Sequence, residues 1–217
     1  MAVILDLETL PIPDVESYVE PVEAAKNLRD PEKIAADIER KQAEQVSKAA
    51  LYPWTARILA LGAIPTDGGP MVHLCQTDAD ERAALRWCWD VVVREDDTRF
   101  VRPIVGFNSR TFDLPVLMAR SLLLGVDYPT LNLDRYRSPH IDLMDRLTWY
   151  GAVPARSLKW FARRFGIVVD DAVSGADVAS LAAAGDWQAI VNHCLSDLRL
   201  TQGLAERMGI IKAGNVA

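Results

Sequence analysis

The chain has 217 residues, half of them apolar and a quarter charged, with a net charge of −6. That balance excludes a collagen-like, low-complexity or disordered chain and fits one globular domain burying about 70–75% of its unfolded surface. The acidity excludes a long, salt-driven grip on duplex backbone. It leaves room for a short strand end held through divalent cations, which become the largest local charges once bound.

No segment approaches the roughly 18 continuous apolar residues of a membrane-spanning helix. The opening residues 1–6 lack a basic start and turn acidic too soon for a signal peptide. Cys75, Cys88 and Cys194 have no metal-ligand spacing, so they read as small core residues in a reduced, cytoplasmic setting.

Residues 3–5 form a short apolar, β-prone run leading into Asp6 and Glu8, which predicts a buried strand ending in acids. After a polar stretch with Pro11, Pro13 and Pro21, Asp30-Pro31-Glu32 predicts a helix start. It has an Asp cap, Pro at the first helical position and an acid in the first turn. The helix runs to about Leu51 on a thin apolar stripe of Ile34, Ile38 and Val46, which predicts weak packing. Residues 58–64 and Met71–Leu74 predict two strands joined by the turn Pro65-Thr66-Asp67-Gly68-Gly69. Thr77 or Asp78 caps a helix reaching about Arg94, with Leu85, Trp89, Val92 and Val93 toward the core.

Residues 104–107 predict a fourth strand ending at Asn108, and a helix follows Asp113 through Leu124. Residues 140–143 fit either a fifth strand or a helix entry, and helical patterns cover 157–165, 177–184 and 186–208. Strands first, then alternation, then helices indicate an α/β fold, a mixed sheet flanked by helices. The expected organisation is one domain over residues 1–210, with a helical insertion at about 12–52 and a flexible tail at 211–217.

Three separate places put acids where a sheet-based site needs them. Asp6 and Glu8 end the first strand, where residues two apart face the same side. Asp113 follows the fourth strand across a loop. Asp197 lies in the last helix four residues after His193, so the two share a helix face. Oxygen ligands of this kind select Mg²⁺ or Mn²⁺. Two such ions roughly 3.5–4 Å apart clamp the attacking and leaving oxygens of a phosphoryl displacement. Taken singly, each acid has a plainer reading, Asp113 as a helix cap and Asp197 as a solvated helix residue. Their joint placement carries the inference.

Leu5-Asp6-Leu7-Glu8-Thr9, Asn108-Ser109-Arg110-Thr111-Phe112-Asp113 and His193-Cys194-Leu195-Ser196-Asp197 resemble the three motifs of the DEDD 3′–5′ exonucleases. That family has a ribonuclease H-like fold and includes the proofreading domains of DNA polymerases. The resemblance is to the subgroup of stand-alone exonucleases, many from phages and bacteria, related to the proofreading domain of family B polymerases. Leu51-Tyr52-Pro53-Trp54-Thr55-Ala56-Arg57-Ile58 and Ser174-Gly175-Ala176-Asp177-Val178 share it, so it spans nearly the whole chain.

The resemblance implies that Asp6, Glu8 and Asp197 hold a first ion, with Asp6 shared and Asp113 binding a second largely through water. It implies that Asn108 and Phe112 position the 3′-terminal nucleotide, and that Thr9 and Leu10 line the same pocket. The activity implied is release of nucleoside 5′-monophosphates from a single-stranded DNA 3′ end in the cytoplasm of a bacterium or an infected host. With no room for a polymerase domain, proofreading would act in trans. An exoribonuclease remains open, because a metal clamp does not itself read the 2′-OH. So does a non-catalytic nucleic-acid-binding module. A third reading, an unrelated α/β protein, requires that the acids not converge.

Two features depart from the family pattern. The water-orienting residue is a Tyr four positions before the last Asp or a His five before it, and here His193 stands at the tyrosine spacing. On a helix, four back lies about 40° from the Asp face and five back about 140°. A neutral His, with an unperturbed pKa of about 6.5, can accept a proton from the attacking water near pH 7. The plainer alternative is that His193 only orients water or packs.

Residues 11–53 form the second departure, either a flap at the substrate entrance or a peripheral helix on the sheet edge. Among the basic residues, Arg110 and Lys159 are the candidates for phosphate contact. Asp142 reads as a helix cap or as a partner of the ligands.

Overall fold

The structure, a computed structural model, describes residues 2–65, 68–94 and 97–212. Thr66 and Asp67 of the expected turn, and the tail from residue 213, lie outside the described residues. In chain order the first elements are β1 (Val3–Pro11), α1 (Pro31–Lys48), β2 (Ala56–Pro65), β3 (Met71–Leu74) and α2 (Asp78–Val92). There follow β4 (Val93–Arg94), β5 (Asp97–Val101), β6 (Ile104–Gly106), α3 (Asp113–Leu124), β7 (Ile141–Asp142) and α4 (Leu143–Leu147). The chain then continues through α5 (Leu158–Arg164), α6 (Val178–Ala184) and α7 (Trp187–Arg207).

β1 sets the plan. Its side chains alternate, so Val3, Leu5 and Leu7 enter one core, while Ile4 and Leu10 belong to the other. β2 runs antiparallel along the full length of β1, and β3 pairs antiparallel beyond it. β6 and β7 add in parallel on the other side, giving the order β3-β2-β1-β6-β7. The first core lies under α2 and α3, with Leu85, Cys88, Leu114 and Leu117 fully buried. The second lies under α5, α6 and α7, with Ile190, Cys194, Leu198 and Leu204 fully buried. This is the mixed sheet between helices of a ribonuclease H-like α/β fold.

Local chemistry explains the boundaries. The Thr77 hydroxyl accepts from the Asp80 amide while the Asp80 carboxylate accepts from the Thr77 amide, a capping box that opens α2. α2 stops at Val92, short of the expected Arg94, because the β-branched run Val91-Val92-Val93 favours extended backbone. Val93 turns to φ −77°, ψ 140° and starts the β4–β5 hairpin. Residues 140–143 satisfy both sequence readings, since Ile141–Asp142 is a strand and Asp142 then caps α4. Gly62 lets α7 lie directly on β2, for a Cβ there would come within 2.6 Å of Leu198 and 2.8 Å of Cys194.

In the insertion, α1 has its Asp30 cap and Pro31 start, yet none of its residues is buried. Arg40 and Lys41 pair with Asp37, and Lys48 with Glu44, along its own surface, where solvent screening leaves such pairs little weight. The chain docks after the helix, where the Thr9 hydroxyl donates to the Ala50 carbonyl at 2.7 Å and the Thr55 hydroxyl to the Ala49 carbonyl at 2.8 Å.

A buried ion pair joins α2 to α3. The Arg120 guanidinium donates to both Glu81 oxygens at 2.7 and 2.9 Å, and the Ile58 amide at the head of β2 donates to Oε1 at 3.0 Å. Arg120→Met strands the Glu81 charge in the core, so unfolding in urea should show a loss of about 3–5 kcal/mol. An unchanged midpoint would mean that the pair does not hold the two helices.

Candidate active site

The acids of β1 take the face that Ile4 and Leu10 otherwise fill, so Asp6 and Glu8 lie on the same side as α7. The β1–β2 register slips between Glu8 and Thr9: Glu8 pairs with Ala60 and Thr9 with Ile58, leaving Leu59 as an extra residue on β2. A bulge of this kind bends the ladder and re-aims the side chains beside it.

Asp113 reaches the same place from the other core. β6 ends at Gly106, and α3 opens at Asp113, which lines the same cleft as Asp6 and Glu8. The loop between them is tied down by Asp142. Its carboxylate accepts the Asn108 amide at 2.9 Å and the Arg110 amide at 3.0 Å, while also capping α4 through the Met144 amide. Asn108 takes a left-handed conformation, φ 61°, which asparagine tolerates better than most residues.

α7 delivers the last two groups. Its buried stripe of Ile190, Cys194, Leu198, Leu204 and Ala205 carries His193 and Asp197 on the same side. His193 is only 2% exposed, its Nε2 lies 3.5 Å from Glu8 Oε1 and its Nδ1 lies 2.6 Å from Asp171 Oδ2. Burial pushes Asp171 up, but hydrogen bonds from His193 and Lys159 outweigh it and hold the carboxyl below its ordinary range. An ionised Asp171 can only accept, so His193 Nδ1 donates to it, and Nε2 is the ring nitrogen turned toward Glu8.

Asp6, Glu8, Asp113, His193 and Asp197 line one cleft of about 220 Å³, with Thr9, Leu51, Phe107 and Phe112 among its walls. Burial and the neighbouring Glu8, Asp113 and Asp197 push Asp6 well above the carboxylate range. Burial, then Asp197 and Asp113, do the same to Glu8. Asp113 is pushed up to about 7, chiefly by burial, and Asp197 is raised by burial against the pull of His193 and Lys159. Asp6 Oδ2 and Asp197 Oδ1 are buried with no hydrogen-bond partner among the described residues.

Unpaired buried oxygens and repelling carboxylates fit a cation-binding site, because divalent ions satisfy both deficits. Asp171, His193 and Asp197 also offer atoms within 4.8 Å of one another. Asp171 already accepts from His193 and Lys159, which leaves Asp197 as the member of that trio with an unpaired oxygen.

Residues 56–212 match the family described as predicted 3′-5′ exonucleases related to the exonuclease domain of PolB. The chain belongs to that family. Asp113, His193 and Asp197 fall inside the match and Asp6 and Glu8 outside it, so it is the tertiary fold that brings β1 to the other acids.

The structure is also similar to that of the family B DNA polymerase from the hyperthermophilic archaeon Pyrobaculum calidifontis. The TM-score is 0.62 at 21% identity, over 95% of this chain and 24% of that one. At that identity the likeness shows the fold alone, and this chain spans about a quarter of that polymerase's length. No curated protein matches the sequence.

Of the other residues expected from sequence, Thr9 and Phe112 line the cleft. Leu10 packs, half-buried, against the second core. The Asn108 side-chain oxygen accepts from the Thr111 hydroxyl at 2.6 Å. Arg110 Nε is on Asp145 at 2.8 Å, and Lys159 Nζ is on Asp171 at 2.9 Å and on the Val173 carbonyl. None of these four lines the cleft.

Asp171 is the group that sequence reasoning missed. It lies between elements and 22 residues from His193, with no periodic pattern to mark it. The three cysteines are buried and free, and burial pushes the Cys75 and Cys88 thiols up to about 12, so both are packing residues. Among the described residues no helix is long and apolar enough to cross a membrane.

Asp113 rises from an ordinary 3.8 to about 7 on folding, so the metal-free folded protein holds a proton that the unfolded chain has lost between those values. Its stability is therefore full below about pH 4 for this group and falls as pH rises through 7. The raised Asp6, Glu8 and Asp197 act in the same direction. In EDTA the Tm should fall from pH 5 to pH 8, and Mg²⁺ or Mn²⁺ should restore about 5 °C or more at pH 8. A metal-independent Tm at pH 8 would count against a cation site.

Proposed function

We propose that the chain is a 3′–5′ exodeoxyribonuclease. It hydrolyses the terminal phosphodiester bond of a single-stranded DNA 3′ end and releases nucleoside 5′-monophosphates, with Asp6, Glu8, Asp113 and Asp197 holding two Mg²⁺ or Mn²⁺ ions. The observation carrying this reading is the convergence of the four carboxylates in one small cleft, two of them with unpaired buried oxygens. When bound, the two ions supply the positive charge that offsets the carboxylates and stabilises the charge developing on the phosphate.

His193 takes the proton of the attacking water at Nε2. Asp171 holds the ring in the tautomer that leaves Nε2 open, and Lys159 holds Asp171. Phe107, Phe112 and Leu51 supply apolar walls for the terminal nucleotide, and Thr9 ties Leu51's turn to β1. The end of the insertion thus forms part of the cleft wall in this reading.

The test incubates 5′-labelled single-stranded DNA and RNA with the protein and Mg²⁺, Mn²⁺ or EDTA, beside Asp6→Ala. A DNA ladder shrinking from the 3′ end, abolished by EDTA and by the substitution, is the expected result. Degradation of RNA alone would reassign the substrate, and degradation of neither would sink the nuclease reading. In the same assay His193→Ala should lower kcat about 100-fold or more with metal affinity retained. Asp171→Asn should lower kcat about 10-fold or more with little change in KM. If Asp171→Asn keeps full kcat, Asp171 does not position His193.

A further inference from the structure

The turn after α4 has a conformation that the cleft does not require. Trp149 and Tyr150 are successive non-glycine residues in the left-handed region, at φ 47° and 59°. Side chains rarely adopt that backbone, and it persists only where its surroundings impose it. Here the Tyr150 amide donates to the Asp145 carbonyl at 2.6 Å and the Gly151 amide to the Thr148 carbonyl at 3.1 Å. The Thr148 hydroxyl is itself anchored on the Met144 carbonyl at 2.8 Å.

The outcome leaves Trp149 and the nearby Tyr136 exposed, with Tyr150 half-buried. Trp149 is 69% exposed and Tyr136 74%. The Tyr136 ring lies 5.2 Å from that of Tyr150, and the guanidinium groups of Arg135 and Arg146 lie 5.9 and 5.5 Å from the Tyr150 centroid. Large exposed aromatics beside charge mark an interaction surface.

Charge and position say what the surface takes. Arg146 has no carboxylate partner among the described residues, and Asp145 is shared between Arg110 and Arg135 at 2.8 and 2.5 Å. The patch therefore carries positive charge in a chain whose net charge is −6. It is also bolted to the cleft wall. Arg110 belongs to the loop that ends in Phe112, and Phe112 lines the cleft. Aromatic faces stack on any base, and arginines beside them meet the phosphates.

We propose that Tyr136, Trp149 and Tyr150, with Arg135 and Arg146, form a stacking platform for single-stranded nucleic acid, engaging nucleotides upstream of the 3′ end held in the cleft. This rests on the exonuclease reading above. The platform gives the enzyme a grip on a flexible strand without base-edge readout, so its contribution grows with strand length and not with sequence. Strands too short to leave the cleft gain nothing from it.

The test compares KM for 5′-labelled single strands of about 20 and about 4 nucleotides, as DNA and as RNA. The variants are Tyr136→Ala, Arg146→Gln and Trp149→Gly, the last of which suits the left-handed backbone and removes only the ring. Loss of one stacked base corresponds to roughly 5- to 150-fold in affinity. The advantage of the long strand over the short one should therefore shrink about 10-fold in Trp149→Gly and Tyr136→Ala. A wild-type enzyme with equal KM for both lengths, or variants that keep the full advantage, would overturn the platform while leaving the exonuclease intact. If the wild type cleaves neither strand, the exonuclease reading fails by itself. Anisotropy of a fluorescein-labelled 20-nucleotide strand in EDTA then decides the platform: about 10-fold weaker binding by the variants upholds it, and equal binding overturns it.

Discussion

Four carboxylates beside the middle of β1, which continues to Pro11 past the acids where sequence alone ended it, repel one another in a site that burial makes poor at screening them, and much of the fold serves to hold them together. Asp6 and Glu8 project from the central strand, which β2 pairs along its whole length and β6 anchors at Val3 and Ile4. Asp113 is fixed from one core and Asp197 from the other, so the charges meet in one cleft beside β1. Concentrating like charges in a low-dielectric place costs stability unless protons or cations relieve it. The fold supports that cost with the close approach of α7 over Gly62, the Asp142 tie on the second loop and the buried Glu81–Arg120 pair.

The acidic residues fall into two electrostatic populations with different tasks. Asp6, Glu8, Asp113 and Asp197 are all raised, each chiefly by burial, and two of their oxygens have no partner among the described residues. Asp145 and Asp171 are held down despite burial, because arginines pair with the first and His193 and Lys159 with the second. The raised group carries a mutual repulsion that protons or cations relieve. The lowered group is scaffold, already ionised and satisfied, and it orients the cations and the imidazole around it. The same side-chain chemistry thus does opposite work according to whether a cation is built in.

Arg110 and Lys159 show how that division redistributes roles. Both are basic residues next to motif positions, where a phosphate contact is the first expectation from sequence. In the fold each is spent on an aspartate, Arg110 steadying the loop that carries Phe112 and Lys159 steadying the partner of His193. Arg146, which has no carboxylate partner among the described residues, stands instead beside exposed rings that the motifs do not mention.

By itself the sequence determined whatever depends on near neighbours. The apolar run into Asp6 and Glu8, the Asp30-Pro31 helix start, the helix opening at Asp113, and the one-turn spacing of His193 and Asp197 all recur in the fold. Each rests on a period of two, three or four residues or on a local cap, so a short window contains the whole signal. The β4–β5 hairpin was not legible, because a helix-compatible stretch turned extended only where β-branched residues met a partner strand. Only tertiary structure decided that Asp171 serves His193, that Lys159 serves Asp171, and that acids from β1, α3 and α7 share one cleft. The two hydrogen bonds join residues 12 and 22 positions apart, and the cleft joins the first strand to the last helix, a reach that no local pattern encodes. They form because the packing of two helical layers on one sheet leaves those side chains nowhere else to go.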